Sequence, residues 1–89
     1  MKCMPITIIN RLGLHARASA KFVSLASEFK SEITLKRDGQ FINGKSIMGI
    51  MMLAAAQGTK LDLCAEGQDE NQAVDALMNL VLDRFGEDE

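Results

Sequence analysis

The pair that most restricts the fold is Asp38-Gly39, which stands between two stretches rich in β-forming residues. Both central residues of a type I′ turn need a positive φ angle, and Asp-Gly is among the pairs that adopt it most readily. We therefore predict a β-hairpin, with one strand over Ile33 to Arg37 and the other over Gln40 to Asn43.

Residues 39–46, GQFINGKS, also match the spacing G-x-x-x-x-G-K-[ST] of the phosphate-binding loop in nucleotide-hydrolysing proteins. That loop needs a flexible backbone between its glycines and a helix directly after its lysine. Here the residues between the glycines belong to the second strand of the hairpin. The chain after Ser46 is also too short for the further βαβ units of a nucleotide-binding domain. ATP binding through this loop is therefore not expected.

Two more segments have the periodicity of strands. Residues 4–10 and 59–66 alternate between side chains for one face of a sheet and side chains for the other. Proline cannot donate a hydrogen bond within a sheet, so Pro5 predicts that the first of these strands lies at an edge.

Three segments have the periodicity of helices. Residues 16–30 carry one apolar stripe at helical spacing, and residues 46–55 suit a short helix with Ser46 as its N-cap. Asp69 and Gln72 form a variant of the capping box ahead of a long last helix.

The predicted order of elements is βαββαβα. This order indicates an α+β fold, in which a four-stranded antiparallel sheet carries three helices on one face. The chain has 89 residues, of which 47% are hydrophobic. That amount supports one hydrophobic core, so residues 1–89 are predicted to form a single domain.

Composition argues against nucleic acid and membrane partners. The formal net charge is -2 and the chain lacks Trp and Tyr, so it offers no basic stripe and few rings on which bases could stack. Its longest apolar run, residues 47–56, is much shorter than the roughly 20 residues that a helix needs to cross a bilayer. Residues 1–10 lack the cleavage site of a signal peptide. We therefore expect a cytoplasmic protein.

The cysteines, Cys3 and Cys64, have the spacing of neither a zinc site nor a C-x-x-C pair. In a reducing compartment, two free thiols on two strands are a simpler expectation than a disulfide. If the first and fourth strands are neighbours, the thiols lie near each other on the open face of the sheet. No metal site and no cofactor are expected.

The single histidine, His15, stands at the predicted start of the first helix, shortly after Gly13. The first backbone N–H groups of a helix lack partners within it and carry partial positive charge, so they attract an anion. Arg17 adds a planar guanidinium that suits phosphate oxygens. An unprotonated imidazole can attack phosphorus as a nucleophile.

No second catalytic acid or base is visible in the sequence near His15. The residues therefore favour a protein that accepts and donates phosphate over an enzyme that turns over small substrates. The alternative is a histidine that only caps or decorates the start of the helix.

The segment after Ser46 is richer in apolar side chains than one face of a two-turn helix can bury. If Ile50 and Leu53 point into the core, Ile47, Met48 and Met51 must lie largely outside it. An exposed methionine-rich surface is typical of protein binding, and the alternative is ordinary core packing.

Ser46 itself has two interpretations. It is either a plain N-cap of the short helix or a site for a regulatory phosphate, which would sit well at a helix N-terminus. A phosphate there would add about -1.5 to -2 of charge beside the apolar surface and repel acidic partners.

The segments GLHAR (13–17), KSIMGIM (45–51) and AEGQDENQAVDAL (65–77) together resemble HPr, the histidine-containing phosphocarrier of the bacterial phosphotransferase system. The likeness covers nearly the whole chain. It implies an open-faced β-sandwich of four antiparallel strands with three helices. It also implies a relay in which enzyme I, charged by phosphoenolpyruvate, phosphorylates the histidine. The carrier then passes the group to the A domain of a sugar-specific enzyme II.

By position, the resemblance implies that His15 is phosphorylated on Nδ1 and that Arg17 is its electrostatic partner. The phosphate would also meet the backbone N–H groups of Ala16 and Arg17. Ser46 matches the site at which an HPr kinase/phosphorylase adds a regulatory phosphate. Five residues match the docking surface shared by enzyme I and the A domains: Ala16, Ala20, Ile47, Met48 and Met51.

The chain departs from the family at Ala18, where the family commonly has proline directly after the arginine. Proline is well tolerated in the first turn of a helix, so we expect a slightly less rigid helix start here. A monomer that binds its partners weakly is expected. Two alternatives remain. One is a regulatory carrier, which either belongs to a nitrogen-linked branch or acts mainly as a Ser46-phosphorylated signal to a transcription regulator. The other is an interaction module with an idle His15. The presence of both His15 and Arg17 argues against a role in signalling alone.

Overall fold

The computed structural model describes residues 1–89 and contains a four-stranded sheet and three α-helices. In chain order the elements are β1 (Lys2–Thr7), α1 (Ala16–Ala26), β2 (Glu32–Arg37), β3 (Gln40–Asn43), α2 (Ile47–Leu53), β4 (Lys60–Glu66) and α3 (Glu70–Leu82), followed by a 3-10 turn (Arg84–Gly86). The predicted order βαββαβα and the α+β fold class are confirmed.

The strands lie in the order β1-β4-β2-β3, and every neighbouring pair is antiparallel. The predicted hairpin is confirmed, because Arg37 pairs with Gln40 and the turn residues Asp38 and Gly39 have φ angles of 49° and 82°. Strand β1 lies at one edge of the sheet, where Pro5 removes no hydrogen bond from an inner ladder.

One cluster of 19 buried apolar residues fills the space between the sheet and the helices. Strand β4 shows how the sequence builds it: Leu61, Leu63 and Ala65 are buried, whereas Asp62 between them is exposed on the open face. Phe22 of α1 and Leu77 of α3 are also buried in this cluster. Removing one such large side chain from water contributes about 1.5–3 kcal/mol. No helix in the structure is long and apolar enough to span a bilayer.

Several element boundaries differ from the sequence prediction, most of all those of α1 and β1. Helix α1 ends at Ala26 instead of continuing to Lys30, and the Ser27 N–H donates to the carbonyls of Leu25 and Val23. The Lys45 ammonium then donates to the Phe29 carbonyl over 2.7 Å and holds the turn after the helix. Strand β1 begins at Lys2, two residues earlier than expected, and ends at Thr7.

The predicted capping box at Asp69 is wrong. The Asp69 side chain makes no capping hydrogen bond to α3. Its carboxylate accepts hydrogen bonds from the backbone N–H groups of Lys30 (2.8 Å) and Ser31 (2.9 Å) and from the Ser31 hydroxyl (2.5 Å). Asp69 therefore ties the start of α3 to the segment that leads into β2, and its neighbour Glu70 accepts from the Gly67 N–H over 3.2 Å.

The Asp69 contacts predict how the stability of the fold depends on pH. The hydrogen bond from the Ser31 hydroxyl, followed by that from the Lys30 N–H, lowers the pKa of Asp69 below its ordinary value of 3.8. A lowered pKa stabilises the fold above the ordinary value, and this stabilisation is lost as pH falls through the native pKa. In Asp69→Asn we expect a lower free energy of unfolding at neutral pH and a weaker dependence on pH below about 4. Urea unfolding of both proteins from pH 2 to 7 measures this, and parallel curves would contradict it.

The expectation of two free thiols is also wrong. Cys3 of β1 pairs directly with Cys64 of β4, and the structure joins them by a disulfide across a Cα–Cα distance of 4.1 Å. The two strands are neighbours, as the sequence argument allowed. Cys3 is exposed and Cys64 is almost fully buried, so one end of the disulfide is open to solvent.

The disulfide predicts a redox-dependent stability. It closes a loop of 61 residues, and a loop of that length stabilises a fold by about 2–4 kcal/mol through its effect on the unfolded chain. Dithiothreitol should lower the free energy of unfolding of the native chain by about 2–4 kcal/mol, which appears as a lower urea midpoint. The double variant Cys3→Ser, Cys64→Ser is the control, because its midpoint should not respond to the reductant. Equal midpoints of the native chain with and without dithiothreitol would exclude a stabilising disulfide.

Candidate functional site

The loop between β1 and α1 is fixed by its own hydrogen bonds. The Gly13 N–H donates to the Asn10 carbonyl (3.1 Å), and the Leu14 N–H donates to the Ala55 carbonyl (2.9 Å). Gly13 has a φ angle of 67°, which side chains disfavour, and any Cβ at this position would meet the backbone of Ala55. This close approach sets the direction in which the chain enters α1.

His15 is the N-cap of α1. Its backbone is extended, its carbonyl accepts the first helical hydrogen bond from the Ser19 N–H (2.8 Å), and its Nδ1 atom accepts from the Arg17 N–H over 3.2 Å. The backbone N–H groups of Ala16 and Ala18 have no acceptor in the protein. Unpaired backbone N–H groups therefore lie at the start of α1, and Nδ1 faces the same end of the helix.

The other ring nitrogen of His15, Nε2, contacts the Glu87 carboxylate. Because Nδ1 accepts a hydrogen bond and a carboxylate accepts as well, the contacts assign the ring proton to Nε2. The ring is partly buried, with 27% of its side-chain surface exposed. His15 therefore presents an unprotonated Nδ1 toward the helix start and a protonated Nε2 toward Glu87.

The chain after α3 turns sharply to bring Glu87 to the imidazole. Arg84, Phe85 and Gly86 all have left-handed backbone angles, with φ values of 54°, 55° and 77°. Such angles cost a side-chain-bearing residue about 1–2 kcal/mol, and burial of the Phe85 ring in the core offsets this strain. The Lys21 ammonium donates to the Phe85 carbonyl over 2.6 Å and anchors the turn to α1.

Asn10 holds Glu87 from the other side. Its buried side-chain amide donates to the Gly13 carbonyl (2.8 Å) and to Oε1 of Glu87 (3.0 Å). The hydrogen bond from Asn10 lowers the pKa of Glu87 below its ordinary value, and the hydrogen bond and charge of His15 act in the same direction. Partial burial of the carboxylate works against this shift but does not reverse it. Glu87 is therefore an anion at neutral pH.

Residues 87–89, which we call the acidic tail, form one wall of an open cleft beside His15. Glu89 is held by Arg11, whose backbone N–H donates to the Glu89 carbonyl (2.7 Å) and whose guanidinium donates to the Glu89 carboxylate (2.5 Å). Arg17 lines the same cleft and forms no ion pair. Its guanidinium is therefore free to meet an incoming anion.

Ser46 caps α2 as predicted. Its hydroxyl accepts a hydrogen bond from the Gly49 N–H over 3.0 Å, and its carbonyl accepts from the Ile50 N–H. The Lys45 ammonium donates to the Phe29 carbonyl and makes no hydrogen bond to the Ser46 hydroxyl. Ser46 is half-buried.

The predicted division of α2 into a core face and an outer face is found. Ile50 and Leu53 are buried, whereas 42% of Ile47, 71% of Met48 and 43% of Met51 is exposed. Helices α1 and α2 pack against each other, with Ala16 exposed and Ala20 half-buried on α1.

The sequence analysis did not identify Asn10, Arg11 and Glu87 as site residues. Asn10 and Arg11 closely precede His15 in the sequence. A polar pair of this kind occurs in many turns, so it did not mark a site. Glu87 lies 72 residues away in the chain, and only the left-handed turn after α3 brings it to the ring. The one available signal was an acidic segment after Gly86. The structure contains no cluster of three or more His, Cys, Asp or Glu side chains that could hold a metal ion.

Comparison with known proteins gives a consistent result. Residues 4–83 match a family model described as the PTS HPr component phosphorylation site. The chain is 54% identical to the phosphocarrier protein HPr of Cupriavidus necator over 83 residues, which cover 93% of both chains. It is 56% identical to the phosphocarrier protein HPr of Neisseria meningitidis serogroup A over 84 residues, which cover 94% of both chains.

Solved structures show the same similarity. A crystal structure of HPr from Thermoanaerobacter tengcongensis superposes with a TM-score of 0.96 at 48% identity, with complete coverage of both chains. An HPr dimer from the same organism superposes with a TM-score of 0.78 at 49% identity, covering 98% of this chain and 100% of the other.

Proposed function

The chain belongs to the HPr family of phosphocarrier proteins, and from that premise we propose that His15 accepts a phosphoryl group from enzyme I and donates it to enzyme II A domains. The observation that carries this proposal is the orientation of the imidazole. Its unprotonated Nδ1 faces the free N–H groups at the start of α1, while Nε2 holds the ring proton toward Glu87. The chain would act as a stoichiometric carrier rather than a turnover enzyme.

In the proposed transfer, the Nδ1 lone pair forms a bond to phosphorus while the bond between phosphorus and the donor atom of enzyme I breaks. The phosphoryl oxygens would then meet the backbone N–H groups of Ala16 and Arg17 and the free guanidinium of Arg17. The Arg17 N–H donates to Nδ1 in the unphosphorylated state and is released toward a phosphoryl oxygen when Nδ1 is occupied. Catalysis would come from positioning and electrostatics supplied by each partner in turn.

Ala18 changes the electrostatics of the helix start without a direct contact to the phosphate, because this residue is fully buried. Where the family commonly has proline, which lacks an N–H, Ala18 provides a backbone N–H without an acceptor in the protein. This group follows those of Ala16 and Arg17 in the first turn of α1, so it strengthens the local positive potential.

The docking surface is proposed to comprise Ala16, Ala20, Ile47, Met48 and Met51. Exposed methionines adapt to differently shaped partners, which suits a carrier that meets a donor and several acceptors. Ser46 lies at the start of the same helix, so a regulatory phosphate placed there by an HPr kinase/phosphorylase would add negative charge beside this surface.

We propose that residues 1–89 act as a single domain, as a monomer and in the cytoplasm. The sheet edges support the monomer. Strand β1 carries Pro5 at one edge, and β3 at the other edge has only four residues, so neither is suited to pairing with a second chain.

Signalling through Ser46 alone is a weaker proposal. A chain that used only Ser46 would need neither an unprotonated Nδ1 aimed at a helix start nor a free Arg17 guanidinium. Both features are present, and they favour the carrier.

The central test is phosphorylation by enzyme I with labelled phosphoenolpyruvate. We expect acid-labile label on the native chain, transfer of that label to an A domain, and no label on His15→Ala, because the Nδ1 nucleophile is absent. The same label on His15→Ala as on the native chain would refute the proposal. Ser46→Ala is the matched control and should be labelled like the native chain.

The docking surface predicts a separate effect. Met48→Asp should weaken binding to enzyme I about tenfold or more, because it places a charge in a contact that excludes water. Phe41→Asp is the control, since Phe41 is equally exposed but lies on β3. Isothermal titration of both variants against enzyme I measures the difference. If Met48→Asp and Phe41→Asp lost equal affinity for enzyme I, the docking surface would lie elsewhere.

A further inference from the structure

We propose that Glu87 is a positioning residue that keeps the ring proton of His15 on Nε2 while a phosphoryl group arrives at Nδ1 and leaves again. This inference rests on the proposed phosphocarrier function and extends it to a part of the chain far from the phosphorylated residue in sequence. It follows from the contacts of the acidic tail, residues 87–89, with His15, Asn10 and Arg11.

The position of the ring proton decides which nitrogen atom can take part in the transfer. A neutral imidazole with its proton on Nε2 has its lone pair on Nδ1, so only Nδ1 can attack phosphorus. When the N–P bond forms, the ring keeps its proton and becomes positively charged. When the phosphoryl group leaves, the N–P electron pair returns to Nδ1 and a neutral imidazole results. No proton has to move in either direction, provided that Nε2 retains its own.

The charge of Glu87 also favours a protonated Nε2. A carboxylate beside Nε2 stabilises the positive ring that exists while phosphate is attached, as carboxylates do for the imidazolium of hydrolase triads. Glu87 is anionic at neutral pH because the Asn10 amide and His15 lower its pKa. If the phosphorylated ring lost its Nε2 proton, the leaving group would be an imidazolate, which is far poorer than a neutral imidazole.

Hydrogen bonds on several sides hold the Glu87 carboxylate beside the ring. Oε1 of Glu87 accepts from Asn10 while Oε2 contacts His15, so the carboxylate serves one donor with each oxygen. Asn10 is fully buried and is itself fixed by the Gly13 carbonyl, and two hydrogen bonds from Arg11 fix Glu89. The carboxylate is therefore held in position rather than free to leave the ring.

The two-donor arrangement makes Glu87→Gln a sharp test. Asn10 and His15 lie at different oxygens of the carboxylate, and in glutamine one of these two positions becomes an NH₂ group that cannot accept. If its oxygen serves Asn10, its NH₂ group faces Nε2 and favours the tautomer with the proton on Nδ1. That tautomer opposes the Arg17 N–H and removes the lone pair from Nδ1.

The experiment is ¹⁵N NMR of the His15 ring in the unphosphorylated chain, together with the rate of phosphorylation by enzyme I. In the native chain we expect the proton on Nε2. In Glu87→Gln we expect a gain of the Nδ1–H tautomer and a rate reduced by about 10- to 100-fold, the range for a lost hydrogen bond to a charged group. A chain ending at Gly86 should also lose the preference for Nε2–H, which guards against a local distortion caused by glutamine.

Asp88→Asn is the matched control. It removes one charge from the same tail, but the Asp88 carboxylate contacts neither His15 nor Asn10. It should leave the tautomer unchanged, although it removes a charge from the wall of the cleft. The inference is overturned if Glu87→Gln keeps the native ¹⁵N spectrum, or if Asp88→Asn shows the same changes as Glu87→Gln. The carrier function could also fail by itself. In that case the native chain would take up no phosphate, while Glu87 would still determine which ring nitrogen of His15 carries the proton.

Discussion

The hydrogen bond from the Leu14 N–H to the Ala55 carbonyl joins the two halves of the functional surface. Leu14 directly precedes the histidine that caps α1, and Ala55 closely follows the end of α2. The bond forms because Gly13, with a φ angle of 67°, brings the backbone closer to Ala55 than any side chain would allow. This bond consequently ties the loop that carries the imidazole to the segment that follows the exposed methionines. A partner on the proposed docking surface of α2 would therefore also lie near the start of α1.

Most of the fold was predictable because its signals are local. The turn at Asp38-Gly39 fixed the hairpin register, and strand β3 has the predicted bounds Gln40–Asn43. Asp69 shows where local reasoning fails. It has the residue type and spacing of a helix cap, yet its carboxylate finds donors at Lys30 and Ser31, nearly forty residues earlier in the chain. A carboxylate takes the best donors that the tertiary structure offers, and sequence spacing does not reveal them.

The residues of the candidate site also divide into those with a local sequence signal and those placed by the tertiary structure. The placement of His15, Arg17 and Ser46 at helix starts was predictable because the start of a helix and the residues that suit it are adjacent in sequence. Glu87 was not, because three consecutive left-handed residues and the burial of Phe85 determine where the acidic tail lies. The cysteines were misjudged for a different reason. Their pairing depends on β1 lying beside β4, and the expectation of free thiols came from the presumed compartment rather than from the chain.

The distribution of charge around His15 suits a carrier that must both hold and release phosphate. Two guanidiniums line the cleft, but Arg11 is paired with Glu89, so only Arg17 is free to bind the phosphoryl oxygens. The rest of the acidic tail limits the positive potential further and opposes a second negative group in the cleft. If Glu87 keeps the ring proton on Nε2 during transfer, the N–P bond breaks without a separate general acid. This also accounts for the lack of a second acid or base close to the only histidine in the sequence. The group that manages the ring proton lies at the other end of the chain and acts through the far nitrogen.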